Sequence, residues 1–390
     1  MIHHPIAIIA SLIVIEAVVL YFSSQGRFKK YFQFLPFIFW IYFLPILAST
    51  FGLIDSKAEI LPKISTYLLP PSLFLLLMVV DLKSIMRLGK TALIMFLSGA
   101  LGIMIGVPIS FFIFKRWVGE EMWSTFGALS ASWIGGSANL IAVKEALGAP
   151  DDIFMPIVIV DTTIPYFWMG ILVALAGLQS KYDKWNKSDE RILSVISQRM
   201  ILVQEQKASS LRADKMILVL LLAVVVGFLS QGIAQTLPVI KGMITTYTWV
   251  ILIVSLLGML CSLTPLRRLE NFGASRVGYF MLFFVLTSLG ARANLSNIGT
   301  SAVLLLAGIL ILLIHAGTLL LASKIFKAPL FLVATASQAG IGGVASAPIV
   351  AEVYQKGFAP VGLLMAILGN ILGTYLGIFV GQICRMISGL

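Results

Sequence analysis

Long apolar segments recur along the chain, and short stretches that carry most of the polar residues separate them. A helix that crosses a bilayer needs about 20 mostly apolar residues, and the pattern predicts twelve such segments. Most are apolar on every side and lack the alternation of a β-barrel strand, so we expect an all-α polytopic membrane protein. The predicted spans are 6–22, 34–51, 65–80, 92–114, 124–147, 153–178, 216–236, 243–263, 277–291, 301–322, 330–354 and 359–386.

Residues 179–215 depart from this pattern because they are polar. They include eight Lys or Arg and five Asp or Glu residues, and they separate an N-terminal half, 1–178, from a C-terminal half, 216–390. Within the stretch, 191–203 has an amphipathic pattern that can lie along a membrane surface. A run of charges is most often a solvated surface, and we interpret the stretch as a linker.

The two halves contain a similar segment. The tripeptide Ile-Gly-Gly at 134–136 recurs at 341–343, which is 207 residues later. Further identical pairs at this offset are Ser130/Ser337, Val143/Val350, Glu145/Glu352, Ile164/Ile371, Gly170/Gly377, Ile171/Ile378 and Val173/Val380. Residues 81–85 also resemble 294–298. An internal duplication is predicted, and chance similarity among apolar helices is the alternative.

Each repeated segment, 124–147 and 330–354, predicts an interrupted helix with a glycine pair at its centre. Glycine costs about 1 kcal/mol against alanine inside a helix. A broken helix exposes N–H groups that favour anions and carbonyls that favour cations. Paired breaks in two halves are typical of a transporter's binding site, whereas close packing of small residues is the alternative. The candidate binding residues are Ser130, Ser132, Gly135, Gly136, Ser137, Asn139, Ser337, Gln338, Gly342, Gly343 and Ser346.

Asp161 lies nine residues into the predicted span 153–178 and is followed by Thr162. A charge at this depth is costly and usually functional. Asp161 is expected to ligate Na⁺, to carry a proton or to cap a neighbouring helix, and the residues alone leave these three roles open. The corresponding position in the second half lies near Asn370, which has no charge. Thr162 and Asn370 join the candidate binding residues.

Four other ionisable residues are left out of the candidate site. Glu145 and Glu352 follow the breaks near predicted helix ends, where an interfacial position is an equal alternative. Glu16 and His315 occur singly inside predicted spans. A lone histidine in a membrane helix is more often a hydrogen-bonded structural residue than a ligand, so we interpret it as structural.

The composition excludes several classes of protein. Hydrophobic residues make up 59% of the chain and charged residues 12%, against about 25% charged residues in a soluble domain. A soluble enzyme, a nucleic-acid-binding domain and a disulfide-stapled module are therefore excluded, and we expect an integral protein of the bacterial inner membrane. The net charge of +11 fits Lys and Arg in loops that contact anionic lipid. With two cysteines and no catalytic motif, neither an enzyme nor a bound cofactor is expected.

Four motifs resemble a known family: Ser132–Asn139 with Ala142 and Val143, Ser262–Glu270, Gln338–Pro348 and Gly369–Gly377. They resemble the YjcL-like membrane family labelled domain of unknown function 819, over nearly the whole chain. That family is grouped with cation:proton antiporters and bile-acid:sodium symporters. The resemblance implies inverted repeats with crossing helix breaks, a core that moves like an elevator against a scaffold, and a homodimer.

The resemblance also bears on the acidic position and on the number of spans. Antiporters of that group carry acidic residues on the helix after the first break, where Asp161 stands, but Thr162 replaces the second acid of some members. Twelve spans would place equivalent helices in the same direction, whereas inverted repeats need an odd separation. The expected number of spans is therefore eleven to thirteen.

Three functional hypotheses follow. The first is a secondary active transporter that moves a small organic solute, such as an amino acid, a carboxylate or a short peptide, coupled to Na⁺ or H⁺ through Asp161. The second is a monovalent cation/proton antiporter. The third, from another class, is an intramembrane enzyme or a subunit of a larger complex. The lipid bilayer is an expected partner in each case, and nucleic acid is not.

Overall fold

The computed structural model describes residues 2–28, 32, 37–86, 88–189, 213–240, 244–292 and 301–390. Within them the regular secondary structure is helical, apart from two isolated β-bridges, Ile2–Ile54 and Ile240–Ile244, and turns and loops join the helices. The helices are α1 (Pro5–Ser24), α2 (Phe37–Thr50), α3 (Ile60–Met78), α4 (Leu82–Met86), α5 (Lys90–Val118), α6 (Trp123–Gly135), α7 (Ser137–Ala146), α8 (Met155–Leu175), α9 (Gln179–Asn186), α10 (Ala213–Gln235), α11 (Thr246–Ser262), α12 (Ala274–Arg292), α13 (Ser301–Phe326), α14 (Leu330–Ile341), α15 (Gly343–Tyr354) and α16 (Ala359–Ser388).

Among the described residues, eight helices are long and apolar enough to cross a membrane. The number rises to nine if α11 and the 3-10 helix Pro265–Phe272, which meet at a bend of 94°, form one span. All twelve predicted spans fall on a helix or a helix pair, but four fall on the shorter α2 and α11 and on the pairs α6–α7 and α14–α15. The all-helical membrane fold is confirmed, and the number of twelve spans stays a prediction.

The segment predicted as a linker begins with a helix, α9. The side chain of Asp183 accepts a hydrogen bond from the N–H of Leu330 at 2.8 Å, so α9 caps the first turn of α14. Asn186 is buried and donates to the carbonyl of Ala328 at 2.9 Å. The amphipathic prediction for 191–203 lies outside the described residues, as do residues 294–298 of the predicted repeat.

The chain divides into two compact units. The first consists of Met1–Val79, Gly148–Thr162 and Ser209–Ala302. It has a core of buried apolar side chains, Ile8, Leu12, Ile54, Leu61, Ile64, Phe284 and Ala291. The buried hydroxyl of Ser288 donates to the carbonyl of Leu61 at 2.8 Å, which joins α12 to α3.

The second unit consists of Val80–Leu147, Thr163–Ala208 and Val303–Leu390. It contains both interrupted helix pairs, α6–α7 and α14–α15, together with the long helices α5 and α16. The division of the chain between the units falls inside α8 and near the start of α13. Both predicted helix breaks therefore belong to the same unit.

Candidate functional site

The first helix break lies between α6 and α7. Gly136 separates them with φ +82° and ψ 177°, a conformation that is open almost only to glycine. The N–H of Gly136 donates to the carbonyl of Ser132 at 2.6 Å and closes the last turn of α6. The second glycine of the pair is therefore the residue that allows the chain to leave one helix and start the next.

The second helix break lies between α14 and α15. Gly342 ends the first helix, and its N–H donates to the carbonyl of Gln338 at 2.9 Å. Gly343 then adopts φ +63°. The second glycine of each pair thus has a positive φ, at positions that are 207 residues apart. An internal duplication would produce this shared conformation.

The two breaks lie next to each other. A Cβ atom placed on Gly343 would lie 3.9 Å from Cα of Gly136, which is ordinary van der Waals contact. A Cβ atom on Gly340 would lie only 2.8 Å from the carbonyl oxygen of Trp133. Backbone therefore packs directly on backbone between α6 and α14, and glycine at position 340 permits this approach.

Asn139 holds the first break together with its side chain. Its amide nitrogen donates to the carbonyl of Gly135 at 2.6 Å and, at 3.4 Å, to the carbonyl of Asn370. Its side-chain oxygen accepts from the hydroxyl of Thr374 at 2.5 Å. This buried side chain therefore caps α6, joins α7 to α16 and has its hydrogen-bonding groups occupied within the protein.

A row of glycines on α16 packs along α6. Four-residue spacing places the members of this row on one face of the helix. A Cβ atom on Gly369 would meet the carbonyl oxygen of Ile134, and one on Gly377 would meet Cβ of Ala131. The glycines of the row are Gly369, Gly373, Gly377 and Gly381. Small residues of this kind let membrane helices approach closely, and they fix the position of the first break.

Gln338 and Ser346 join the two sides of the second break. The side-chain amide nitrogen of Gln338 donates to the hydroxyl oxygen of Ser346 at 2.8 Å and to the carbonyl of Pro165 at 3.2 Å. Its side-chain oxygen is buried and has no hydrogen-bond partner among the described residues. A buried acceptor without a partner is costly. A ligand that donates a hydrogen bond to this oxygen, beside the break, would remove that cost.

Ser337, the neighbour of Gln338, joins α14 to two further helices. Its hydroxyl oxygen lies 2.8 Å from Nε1 of Trp168 and 2.9 Å from Nε2 of His315. Both Ser337 and His315 are buried. The sequence placed Ser337 in the candidate site but interpreted His315 as structural, and the structure brings the two side chains into direct contact.

The N-terminal and C-terminal ends of the half-helices differ in the hydrogen-bond partners of their backbone groups. α7 and α15 have no side-chain cap at their N-termini, and Ser137 and Val344 in their first turns are partly exposed. At the end of α6, the carbonyl of Gly135 accepts a hydrogen bond from the side chain of Asn139. The uncapped N–H ends carry partial positive charge, so the breaks favour an anionic group.

The other predicted residues of the second unit have different environments. The hydroxyl of Ser130 donates to the carbonyl of Gly127 in its own helix at 2.7 Å, and Ser132 is buried. Asn370 is partly exposed, and its side-chain oxygen would lie 3.5 Å from a Cβ atom on Gly136. Asn370 therefore borders the first break, as Asn139 does.

Asp161 and Thr162 fall in the first unit, at the end of its Gly148–Thr162 segment. Asp161 is partly exposed within α8. The hydroxyl of Thr162 donates to the carbonyl of Val158 at 2.7 Å and is thereby occupied within its own helix. The twelve other predicted site residues belong to the second unit, and the role of Asp161 stays a prediction.

Several residues at the breaks were not predicted from the sequence. Thr374 and Trp168 contact the predicted residues Asn139 and Ser337 from distant parts of the chain. The four-residue spacing of the glycines in α16 was a signal that could have indicated the contact with α6. Among the described residues, no group of three or more His, Cys, Asp or Glu side chains could hold a metal ion.

The charged residues near the ends of the second half-helices have structural partners. Lys144 is buried, and its Nζ lies 2.9 Å from a carboxylate oxygen of Glu145. The carboxylate of Glu352 accepts from the N–H of Gly357 at 2.9 Å and helps to close the turn before α16.

Comparison with known proteins agrees with this architecture. The chain is 24% identical over 357 residues to a protein of Bacillus subtilis (strain 168) named "Uncharacterized membrane protein YjcL", and the match covers 85% of each chain. This likeness and the long apolar helices identify an integral membrane protein. A family model described as "Protein of unknown function (DUF819)" matches residues 10–387. Because this match includes nearly the whole sequence, the chain belongs to the DUF819 family.

Proposed function

We propose that this protein is a secondary active transporter of a small anionic organic solute, driven by a gradient of Na⁺ or H⁺. The observation that supports this proposal is the adjacent pair of helix breaks. Gly136 and Gly343 lie in contact, and the two half-helices that start beside them have no side-chain cap, while the side chain of Asn139 occupies the carbonyl of Gly135. An amino acid, a carboxylate or a short peptide carries the anionic group that such a pair of N-termini binds.

The proposed binding groups are the N–H groups of the first turns of α7 and α15 and the side chains that border them. Asn370 and Ser137 supply polar groups at the first break, and the free side-chain oxygen of Gln338 supplies an acceptor at the second. An amino acid or a peptide would present an ammonium or an amide N–H to this oxygen. The N–H groups at the starts of α7 and α15 make an anion a better fit to the breaks than a bare cation.

The mechanism that goes with this function is alternating access. The unit with both breaks would be the moving core, and the other unit would be the scaffold. Inverted repeats, an elevator-like motion and a homodimer belong to this proposal through the family resemblance. Asp161, at the end of the scaffold segment within α8, would bind the coupling ion.

Uptake into proteoliposomes tests the proposed function. Radiolabelled acetate, succinate, glutamate and dialanine are offered separately under an imposed Na⁺ gradient, an imposed H⁺ gradient or no gradient. We expect at least one of the four to accumulate only with a gradient. Exchange of Na⁺ or K⁺ for H⁺ without any organic solute would instead indicate the antiporter, and the absence of both activities would contradict transport.

The exchange Asp161→Asn tests the coupling role. The amide has no negative charge to bind Na⁺ and does not carry a proton, so we expect gradient-driven accumulation to fall at least tenfold. The matched control is Asp55→Asn, since Asp55 lies in a loop beside the exposed His3 and should leave accumulation at the wild-type level. Accumulation by the Asp161 variant equal to that of the control would remove Asp161 from the coupling mechanism.

A further inference from the structure

A chain of hydrogen bonds joins four helices of the second unit. Nε1 of Trp168 on α8 lies 2.8 Å from the hydroxyl oxygen of Ser337 on α14. The same oxygen lies 2.9 Å from Nε2 of His315 on α13, and Nδ1 of that ring lies 2.8 Å from the carbonyl oxygen of Gly99 on α5. His315 is buried, with 1% of its surface exposed. The chain of hydrogen bonds therefore passes through Ser337 on α14, five residues before Gly342.

The direction of each hydrogen bond follows from the chemistry of the groups. A carbonyl oxygen only accepts, so Nδ1 of His315 carries the proton that is donated to Gly99. In the neutral ring Nε2 then has a lone pair and accepts from the hydroxyl of Ser337. An indole N–H only donates, so Trp168 donates to Ser337. Each donor and each acceptor in this chain of hydrogen bonds has one partner. The arrangement therefore fixes a single tautomer of His315.

A second proton on the ring would reverse one of these bonds. The lone pair of Nε2 would form an N–H bond, and Nε2 would become a donor to the oxygen of Ser337. Ser337 would then accept from both Trp168 and His315, and its own proton would turn to another acceptor, such as a carbonyl one turn earlier in α14. Proton binding on α13 is thus converted into a change of hydrogen bonding on the helix that leads to the second break.

The surroundings of the ring are such that a nearby anion would favour protonation of His315. A Cβ atom on Gly99 would lie 3.0 Å from Cε1 of His315, and one on Gly102 would lie 2.8 Å from its Cα, so α5 packs tightly against it. The groups that face the ring, from α5 and α14 and through Ser337 from α8, are uncharged: Gly99, Gly102, Ser337 and Trp168. A charged imidazolium among these uncharged groups would be stabilised by an anion bound nearby.

We propose that Nε2 of His315 is a proton-binding site and that its proton accompanies the anionic solute at the breaks, alongside the ion bound at Asp161. Ser337 and Gly342 are five residues apart on α14, or about 8 Å along the helix axis. The ring contacts Ser337, so a positive charge on it would attract an anion bound at the break. The coupling to the solute rests on the proposed function, whereas the proton-binding site itself does not.

Nitrogen NMR of the ring tests the proton site without any solute. The chain has three histidines, and replacement of His3 and His4 with glutamine leaves His315 as the only labelled ring. In lipid nanodiscs at alkaline pH we expect a proton on Nδ1 and a bare Nε2. On acidification we expect Nε2 to gain a proton while Nδ1 keeps its own. A ring that stays in one neutral tautomer until the protein unfolds would overturn the proposal.

Substitutions of Ser337 test the role of the hydroxyl in this relay. Ser337→Ala removes the acceptor of Trp168 and the donor to Nε2, so the titration of His315 should shift in pH and the indole N–H signal of Trp168 should stop following it. Ser337→Thr keeps the hydroxyl and should restore both behaviours. If the alanine and threonine variants titrate alike, Ser337 does not connect the ring to α14.

Transport then tests the coupling. In proteoliposomes with succinate and glutamate as probes, His315→Gln should reduce proton-driven accumulation at least tenfold. The control His4→Gln should accumulate the probes as the wild type does. Wild-type accumulation by the His315 variant would overturn the proposal, as would uptake driven by Na⁺ alone at every pH. If the wild type carries no probe while Nε2 still titrates, the proposed function fails and the proton site stands.

Discussion

Replacement of Gly369 with leucine is expected to destabilise the protein by more than about 3 kcal/mol, which corresponds to a fall of about 5–10 °C in the midpoint of thermal unfolding. A Cβ atom at this position would meet the carbonyl oxygen of Ile134. The obstacle is backbone, which cannot rotate away as a flexible side chain can. α16 would have to move off α6, and the contacts along the glycine row would be lost with it.

A matched control separates this steric effect from the general effect of losing a glycine. Gly317 lies within α13, and a Cβ atom there would have no atom within 4 Å. Gly317→Ala should therefore leave the midpoint unchanged or raise it slightly, because alanine is the better helix former by about 1 kcal/mol. Fluorescence-detected size exclusion after heating measures both variants. Equal midpoints for the two variants would show that α16 does not need glycine at this contact.

Asn139→Leu is expected to have the second largest effect. The variant removes the donor to the carbonyl of Gly135 and the acceptor of the Thr374 hydroxyl, and both groups are left in a buried place. An unsatisfied buried polar group costs about 1–3 kcal/mol, so the loss amounts to about 2–6 kcal/mol for the two. Because the same side chain caps α6 at the break, solute uptake should fall together with the stability.

Partial and matched variants make this second prediction specific. Thr374→Val removes one of the hydrogen bonds of Asn139 and should cost about 1 kcal/mol. Ser98→Ala is the matched control, because the hydroxyl of Ser98 donates to the carbonyl of Ile94 in its own helix. Its effect on stability should stay within about 0.5 kcal/mol. If Asn139→Leu unfolds at the same temperature as the Ser98 variant, the side chain of Asn139 does not hold the break.

The helices and both breaks could be read from the sequence because they depend on local pattern. Apolar runs of sufficient length predict helices in lipid, and all predicted spans fall on helices. Glycine pairs at 135–136 and 342–343 predict interruptions, since glycine adopts the positive φ of Gly136 and Gly343 without the steric cost of a side chain. These properties belong to a residue and its near neighbours, so they do not require knowledge of the fold.

The partners of the site residues could not be read in the same way. Asn139 was predicted as a binding group, but its side chain bonds to Thr374, 235 residues away in the chain. His315 was interpreted as structural because a single histidine gives no pattern, yet it bonds to Ser337 of the predicted site. Such contacts depend on how the helices pack, and one sequence without its fold does not specify them.

The linker predicted for 179–215 stays a prediction, but its described part shows another limit of local pattern. The charged composition predicted a solvated linker, whereas Asp183 and Asn186 use their polarity to bind the turn between α13 and α14. Polar residues can satisfy backbone groups of a distant helix as well as contact water. Composition alone does not distinguish these two uses.

The most direct measurement of the central claim is the charge preference of a thiol placed at the breaks. The two native cysteines, Cys261 and Cys384, are first replaced by serine and alanine. Ser137→Cys and Ala345→Cys then place a thiol in the first turn of α7 or α15. Leu313→Cys serves as the control, since this exposed residue of the apolar α13 is expected to face lipid.

Each protein is treated with methanethiosulfonate reagents of similar size that carry either a sulfonate or a trimethylammonium group. The rate at which each reagent modifies the introduced cysteine is divided by the rate at which the same reagent modifies a free thiol in solution. Two uncapped helix N-termini should favour the sulfonate reagent at both break positions by about fivefold or more, while Leu313→Cys should react with neither. Faster reaction with the cationic reagent, or no reaction at either break, would contradict an anion-binding site between the half-helices.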